Sequence, residues 1–174
     1  VSSIVISASG IQNNFLNADD VVSVTATFRE SVIVDNASGN NPALTLVVGS
    51  NNQAATYASG DNSTTLVFQY TILAGDNDTN GISIGENALD LNGGTIMDAA
   101  GNNATLTHSS VADNSSYKVD TTPPTVSGVA ITSGTGMLNN FLNADDVVSV
   151  TATFRESVIV DNASGNNPAL TLVV

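Results

Sequence analysis

The sequence predicts an all-β protein, with one complete β-sandwich followed by the opening of a second of the same type. Two observations carry this. The stretch NNFLNADDVVSVTATFRESVIVDNASGNNPALTLVV fills residues 13–48 and recurs without a substitution at residues 139–174, an offset of 126 residues. That offset exceeds the roughly 20–50 residues of a solenoid unit and suits one whole domain. The second observation is a succession of short β-branched runs at period two, separated by Gly, Asn and Asp turns, with no helical period longer than a turn.

The elements follow in chain order. Residues 4–7 make an edge strand before the break at Ser9 and Gly10, and Phe15 and Leu16 pack under the next loop. Residues 21–28 alternate, with Val22, Val24, Ala26 and Phe28 on one face and Val21, Ser23, Thr25 and Thr27 on the other. That is a half-buried antiparallel strand with its threonine face in water. Arg29 and Glu30 close it, and residues 32–34 form an apolar patch before a turn at 35–39. Pro42 lacks an amide donor and so belongs at the start of the strand 43–48, whose inward set is Leu44, Leu46 and Val48. A turn at 49–52 leads to residues 53–57, completing a hairpin. Leu66, Phe68, Tyr70 and Ile72 alternate along a second central strand, residues 65–72.

The later third is less regular. Ile82 and Ile84 form a short strand, Leu89, Leu91, Ile96 and Met97 are apolar anchors, a tight turn spans 98–103, a strand spans 104–108, and residues 117–119 are the last strand segment. Residues 1–119 are then one sandwich and 120–125 a linker, stiffened by Pro123 and Pro124 because each proline fixes its own φ. Residues 126–174 are the N-terminal part of a second sandwich. A unit of about 120 residues is large enough for one core without staples.

Composition narrows the function. Arg29, Lys118 and Arg155 are the only basic residues against 16 Asp and Glu, for a net charge of -13. That field repels nucleic acid and anionic membrane and attracts cations. The absence of cysteine excludes disulfides and a thiol nucleophile without deciding the compartment. No run approaches the roughly 20 apolar residues of a membrane span, so no membrane insertion is expected. With 41% apolar residues in regular runs the chain is not read as disordered.

The strongest chemical signal is the loop Asp76-Asn77-Asp78-Thr79-Asn80-Gly81. Oxygen ligands at relative positions 1, 3 and 5 with glycine at 6 match the first half of a calcium loop, and Ile82 would offer its carbonyl at 7. Position 12 is Asn87, with Glu86 beside it, so a site here is not an EF-hand and needs ligands from elsewhere. The competing reading is a polar turn whose side chains cap their own backbone. Greek-key topology would bring Asp19 and Asp20 to the same end as this loop, and Glu30, Asp35 and Asp98 to the opposite end. At the junction, Asp120 would share an ion with Glu156 and Asp161 of the next unit, or simply cap the turn into the prolines. Calcium suits a joint because it accepts six to eight oxygens in flexible geometry. His108 is the only histidine and reads as a sheet or surface residue. Asn-x-Ser/Thr patterns, among them Asn36, Asn62, Asn77, Asn103 and Asn114, are what a chain this rich in those residues produces by chance.

The phrases VVSVTATF with Glu30 after it, AGDNDTNGISI, NALDLNGGTIMDAAGNNA and VDTTPPTV together resemble the tandem immunoglobulin-like repeats of giant bacterial surface adhesins, including the calcium-stiffened extender repeats of type I-secreted RTX adhesins. The resemblance covers essentially the whole chain. It implies an immunoglobulin-like Greek-key β-sandwich, extracellular and stacked end to end with neighbouring repeats. It also implies calcium-related roles for Asp76, Asp78, Asp98, Asp120 and Glu30, and a task of holding an adhesive tip away from the cell or supporting biofilm attachment. No catalysis is expected. A glycan- or ice-binding module is the alternative, carried by threonines such as Thr25 and Thr27 but lacking any tryptophan. Because residues 126–174 hold only the first strands of a unit and match residues 13–48, strand exchange with another chain is a further expectation.

Overall fold

The computed structural model describes residues 1–35, 39, 41–161, 165 and 167–173, and contains no helix among them. The turn expected at 35–39 and the Asn36 pattern lie outside the described residues, except for Asp35 and Gly39. Contacts divide the chain into two units, Val1–Thr122 and the residues from Pro123 onward. The division falls within the linker read from the sequence.

The first unit is built on β3 (Val21–Asp35), which pairs antiparallel with β1 (Ser3–Ser9) on one edge and β6 (Ser63–Thr71) on the other. β6 continues to β5 (Asn51–Ser59), β4 (Ala43–Val48) and β8 (Leu89–Asp90) in one curled sheet. A smaller sheet joins β2 (Phe15–Leu16), β10 (Lys118–Asp120) and β7 (Asn77–Asp78). The inward residues read from the alternation are those that close the core. Val22, Val24, Ala26, Leu44, Leu46, Leu66, Phe68 and Ile72 are fully buried, and Tyr57 meets Phe68 edge-on at 6.1 Å. This all-β architecture around a single core is consistent with a β-sandwich.

Three expectations change. The segment at Ile82 and Ile84 is not a strand but makes only the isolated bridges Val47↔Ser83 and Ile84↔Val111. β3 does not end at Arg29 and Glu30. Its pairing with β6 passes from Thr27↔Thr65 to Val32↔Ser63, so a bulge takes up Arg29, Glu30 and Ser31, all exposed. The strand then resumes with Val32 and Val34 still facing inward, now paired to β9 (Thr95–Met97). Apolar residues at even positions on both sides of the bulge make continuation more favourable than a turn. Residues 104–108 are not a strand. Among the described residues they pair with no strand and are held at points: by Ala104 N–H to the Ile96 carbonyl, by the Val1 amino group to the Thr105 and Thr107 carbonyls, and by His108.

In the second unit, β11 (Val126–Thr135) and β12 (Val147–Phe154) form an antiparallel hairpin that rebuilds β1 and β3. Ile6↔Val24 becomes Ile131↔Val150 and Ser7↔Ser23 becomes Ser133↔Ser149, with Thr132 bulged between them. The divergent first strand thus absorbs extra residues at two register shifts, Val126/Gly128 and Ile131/Ser133, without shifting the repeated text. The connecting turn closes on the same bonds in both copies, although Met137 and Leu138 stand where the first copy has Ile11 and Gln12. Asp20 Oδ2 accepts from Asn17 N–H at 2.7 Å, and Asp146 accepts from Asn143 at the same distance. A Cβ on Gly10 or Gly136 would fall 1.8 Å from the Oδ1 of that aspartate, so glycine is required at both places. What differs is burial: Leu16 is 0% exposed, whereas its counterpart Leu142 is 46% exposed.

The identical text therefore has a context-dependent energetic effect. Leu16→Ala is expected to lower stability by about 2–5 kcal/mol, whereas Leu142→Ala should cost less than about 1 kcal/mol. All three tyrosines lie in the first unit, so denaturant unfolding followed by tyrosine fluorescence reads that unit alone and checks the first figure; circular dichroism of the whole chain checks the second.

Candidate functional site

The acidic loop lies where the first unit ends. The β4–β5 hairpin turns through Gly49 and Ser50, with Gly49 at φ 60°. A Cβ there would lie 2.2 Å from the Asn77 carbonyl oxygen, so only glycine lets the two loops meet. Into this contact β7 brings Asp78, 2% exposed, and just before it Asp76, 5% exposed.

Neither carboxylate is left without donors. Asp76 Oδ1 accepts from Gln53 Nε2 at 2.9 Å, and its Oδ2 accepts from the Tyr70 hydroxyl at 2.6 Å and Leu73 N–H at 3.0 Å. Asp78 Oδ1 accepts from Asn80 N–H at 3.1 Å and Gly81 N–H at 2.7 Å, while its Oδ2 accepts from Gly49 N–H at 2.8 Å. Charge-assisted bonds of this kind offset the desolvation of a buried carboxylate. The same loop holds the departing chain. The Thr121 hydroxyl donates to the Asp76 carbonyl and accepts from Gly75 N–H, and β10 pairs Val119 with Asp78.

These contacts bear directly on calcium. Alternate ligands of a calcium loop must turn lone pairs toward one point, but Asp76 and Asp78 turn theirs toward N–H and O–H donors. Asn80 donates its side-chain amide to Asp113 Oδ2 at 2.6 Å, and the Ile82 carbonyl accepts from Asn114 N–H. Asp19 N–H donates to the Ile72 carbonyl and Asp20 closes its own turn, so the pair reaches the same end as the loop but joins no common ligand set with it. Among the described residues no three His, Cys, Asp or Glu side chains are grouped to hold a metal. As folded, the loop's carboxylates face the chain's own donors, the arrangement of a fastened turn. Gln53, Gly49, Tyr70 and Thr121 are the partners that sequence reading missed. Only Tyr70 carried a signal, since a buried phenol needs a partner for its hydroxyl.

The remaining candidates separate. Asp120 Oδ1 accepts from Thr122 N–H at 3.0 Å, the capping role. Asp120 belongs to the first unit and the exposed Glu156 and Asp161 to the second. Glu30 and Asp98 line one cleft of about 440 Å³ with Arg29, Asn102 and Thr105. Asp98 accepts from Asn102 Nδ2 at 2.7 Å and from the backbone N–H groups of Ala100 and Asn102, and these bonds hold its carboxyl below the usual 3.8. Asp35 lies at the end of β3, paired with Thr95. His108 Nε2 accepts from Ala88 N–H at 2.8 Å and Nδ1 lies 2.9 Å from the Ser109 carbonyl, which makes it one fastener of the irregular 104–111 segment.

Where β1 and β6 pair with residues 21–27 of β3, the outward side chains of the large sheet are uncharged. Ser3, Thr27 and Thr65 stand in one row, Val5, Thr25 and Val67 in the next, Ser7, Ser23 and Gln69 in a third. The T-x-T of β3 is thus part of a two-dimensional array, interrupted by valines and a glutamine. No family model, curated protein or solved structure matches the chain.

Two outcomes test the fastened loop. Asp76→Asn would present an amide NH₂ to donors and should cost about 2–3 kcal/mol in denaturant unfolding of the first unit. Burial, with the Asp76 hydrogen bond second, raises the Tyr70 phenol well above 10. A raised folded value contributes stability that is complete below the unfolded value near 10 and is lost as pH rises through the folded one. Alkaline titration is therefore expected to ionise Tyr70 together with unfolding, and Tyr70→Phe should abolish that coupled step. At the acid end Asp98 acts in the opposite sense. Its contribution is present above 3.8 and is lost as pH falls through its lowered folded value.

Proposed function

We propose that the chain is a segment of a tandem array of immunoglobulin-like Greek-key β-sandwiches, serving as an extender of a bacterial cell-surface adhesin outside the cell. It works by reach and stiffness rather than by catalysis, and its partners are the neighbouring repeats end to end. The single observation that supports the reading best is the repeated hairpin, rebuilt in register in both units. A fold that reproduces its own beginning after its own end suits linear extension. The exit clasp supports it further, because Thr121 ties the residues just before Pro123 to the buried Asp76 loop. In this reading the clasp supplies at the exit the stiffness that the resemblance assigns to calcium. The implied ion is left to Glu30 and Asp98, which line one cleft.

Calorimetric calcium titration of the chain beside Asp98→Asn and Asp78→Asn tests the ion. Heat that disappears only in Asp98→Asn supports the cleft, while a wild type without heat removes calcium from the proposal. Stiffness is tested separately by Thr121→Val, which should broaden the distribution of dimensions in small-angle scattering. An unchanged distribution would count against the clasp. Strand exchange belongs to the same reading, since β11 and β12 carry the side chains of β1 and β3. A sedimentation mass that stays monomeric at high concentration would remove it.

The uncharged rows of the outer face favour a second reading, a module whose hydroxyl array binds glycan or ice. Thr25→Lys should abolish signal on a glycan array or in an ice-recrystallisation assay if that reading holds, without altering the fold.

A further inference from the structure

The chain contains two Asn-Gly pairs, Asn80-Gly81 and Asn92-Gly93, and the fold gives them opposite chemical environments. We propose that Asn92 is a site of spontaneous backbone-assisted deamidation and that Asn80 is protected from it.

The reaction needs three things of an Asn-Gly pair: an accessible side-chain amide, a following backbone nitrogen that can lose its proton, and freedom for the two to meet. Asn92 and Gly93 are both exposed, at a two-residue turn in which both have left-handed φ, 48° and 83°. The turn is closed by Gly94 N–H donating to the Leu91 carbonyl at 2.8 Å, which leaves the Gly93 N–H with no acceptor among the described residues. Asn92 is held by Nδ2 to the Asn41 carbonyl at 3.1 Å and by its N–H to Asp90 Oδ1 at 2.8 Å, but neither bond occupies the Gly93 nitrogen, and the lack of a Cβ on Gly93 leaves approach to it open.

At the other pair the nucleophile is occupied. Gly81 is buried and its N–H donates to Asp78 Oδ1 at 2.7 Å, so a carboxylate both holds that proton and opposes the negative charge its loss would create. The Asn80 amide is held in turn by Asp113 Oδ2. The fastened loop that holds the chain exit thus also shields its own asparagine.

At Asn92 the Gly93 nitrogen, having given its proton to solvent base, attacks Cγ. The Cγ–Nδ2 bond breaks, ammonia leaves, and a cyclic succinimide closes. Water then opens the ring at one carbonyl or the other, leaving aspartate or isoaspartate at position 92; the sequence of steps needs no oxidant or reductant. The product changes the surface in two ways. It adds a carboxylate to a chain already at -13, and it removes the Asn92 Nδ2 donor that reaches the Asn41 carbonyl at 3.1 Å, so a tether between the β8–β9 turn and the start of β4 is lost.

The full chain is incubated in weakly alkaline buffer, folded and in denaturant, and deamidation is followed by peptide mass spectrometry with isoaspartate labelling. In the folded chain Asn92 is expected to gain about one mass unit more than about tenfold faster than Asn80, the factor being set by opening of the Gly81–Asp78 bond. In denaturant that bond is gone and the two rates should converge to within about twofold. Asn80 keeping pace with Asn92 in the folded chain, Asn92 staying intact there, or a difference that persists on unfolding overturns the proposal.

Discussion

Two buried carboxylates impose the tightest constraint on the first unit. Asp76 and Asp78 lie at one end of the core, and ionised groups there are tolerable only if donors surround them. The donors come from distant parts of the chain: Gln53 on β5, Tyr70 on β6, and Gly49 in the hairpin turn. Satisfying two side chains therefore fixes the relative placement of three strands and a turn. The departing strand β10 pairs with the same segment, so the direction in which the chain leaves the unit is tied to the same set of bonds.

The repeated hairpin shows how much of the structure is local. The same turn, with asparagines and an aspartate at positive φ and an aspartate closing against glycine, forms in both units. It does so where Leu16 is fully buried and where Leu142 is half exposed, so the packed core is not what selects the turn. Side-chain capping and steric exclusion of a Cβ are short-range effects that act wherever the residues occur. Burial is long-range. The hairpin acquires its stabilising partner layer only where β6, β5 and β4 are present to supply it.

This division bears on the extender reading. A unit whose opening hairpin is locally encoded and whose exit is clasped by its own core has both ends defined within itself, which is what linear stacking requires. The acidic residues that first suggested metal chemistry act mostly on the protein's own backbone: Asp20, Asp78, Asp98 and Asp120 each accept from main-chain N–H groups close in sequence. A chain with few cations of its own can still satisfy many carboxylates, because turns supply amide donors without charge.

The sequence by itself determined the all-β class, the domain period and nearly all of the core, since period-two alternation and exact repetition are properties of the text and burial follows them. The inward sets of β3, β4 and β6 were legible residue by residue. The local pattern D-x-D-x-N-G was legible too, but not its use. A calcium loop and a fastened turn present the same residue types in the same order, and they differ only in what faces the lone pairs. Gln53 and Tyr70, remote from the loop in sequence, face Asp76, and Gly49 brings its N–H to Asp78. The tertiary structure alone decided that, because strand pairing sets which donors reach a carboxylate, and it likewise decided that β3 runs through its polar bulge and that residues 104–108 do not form a strand.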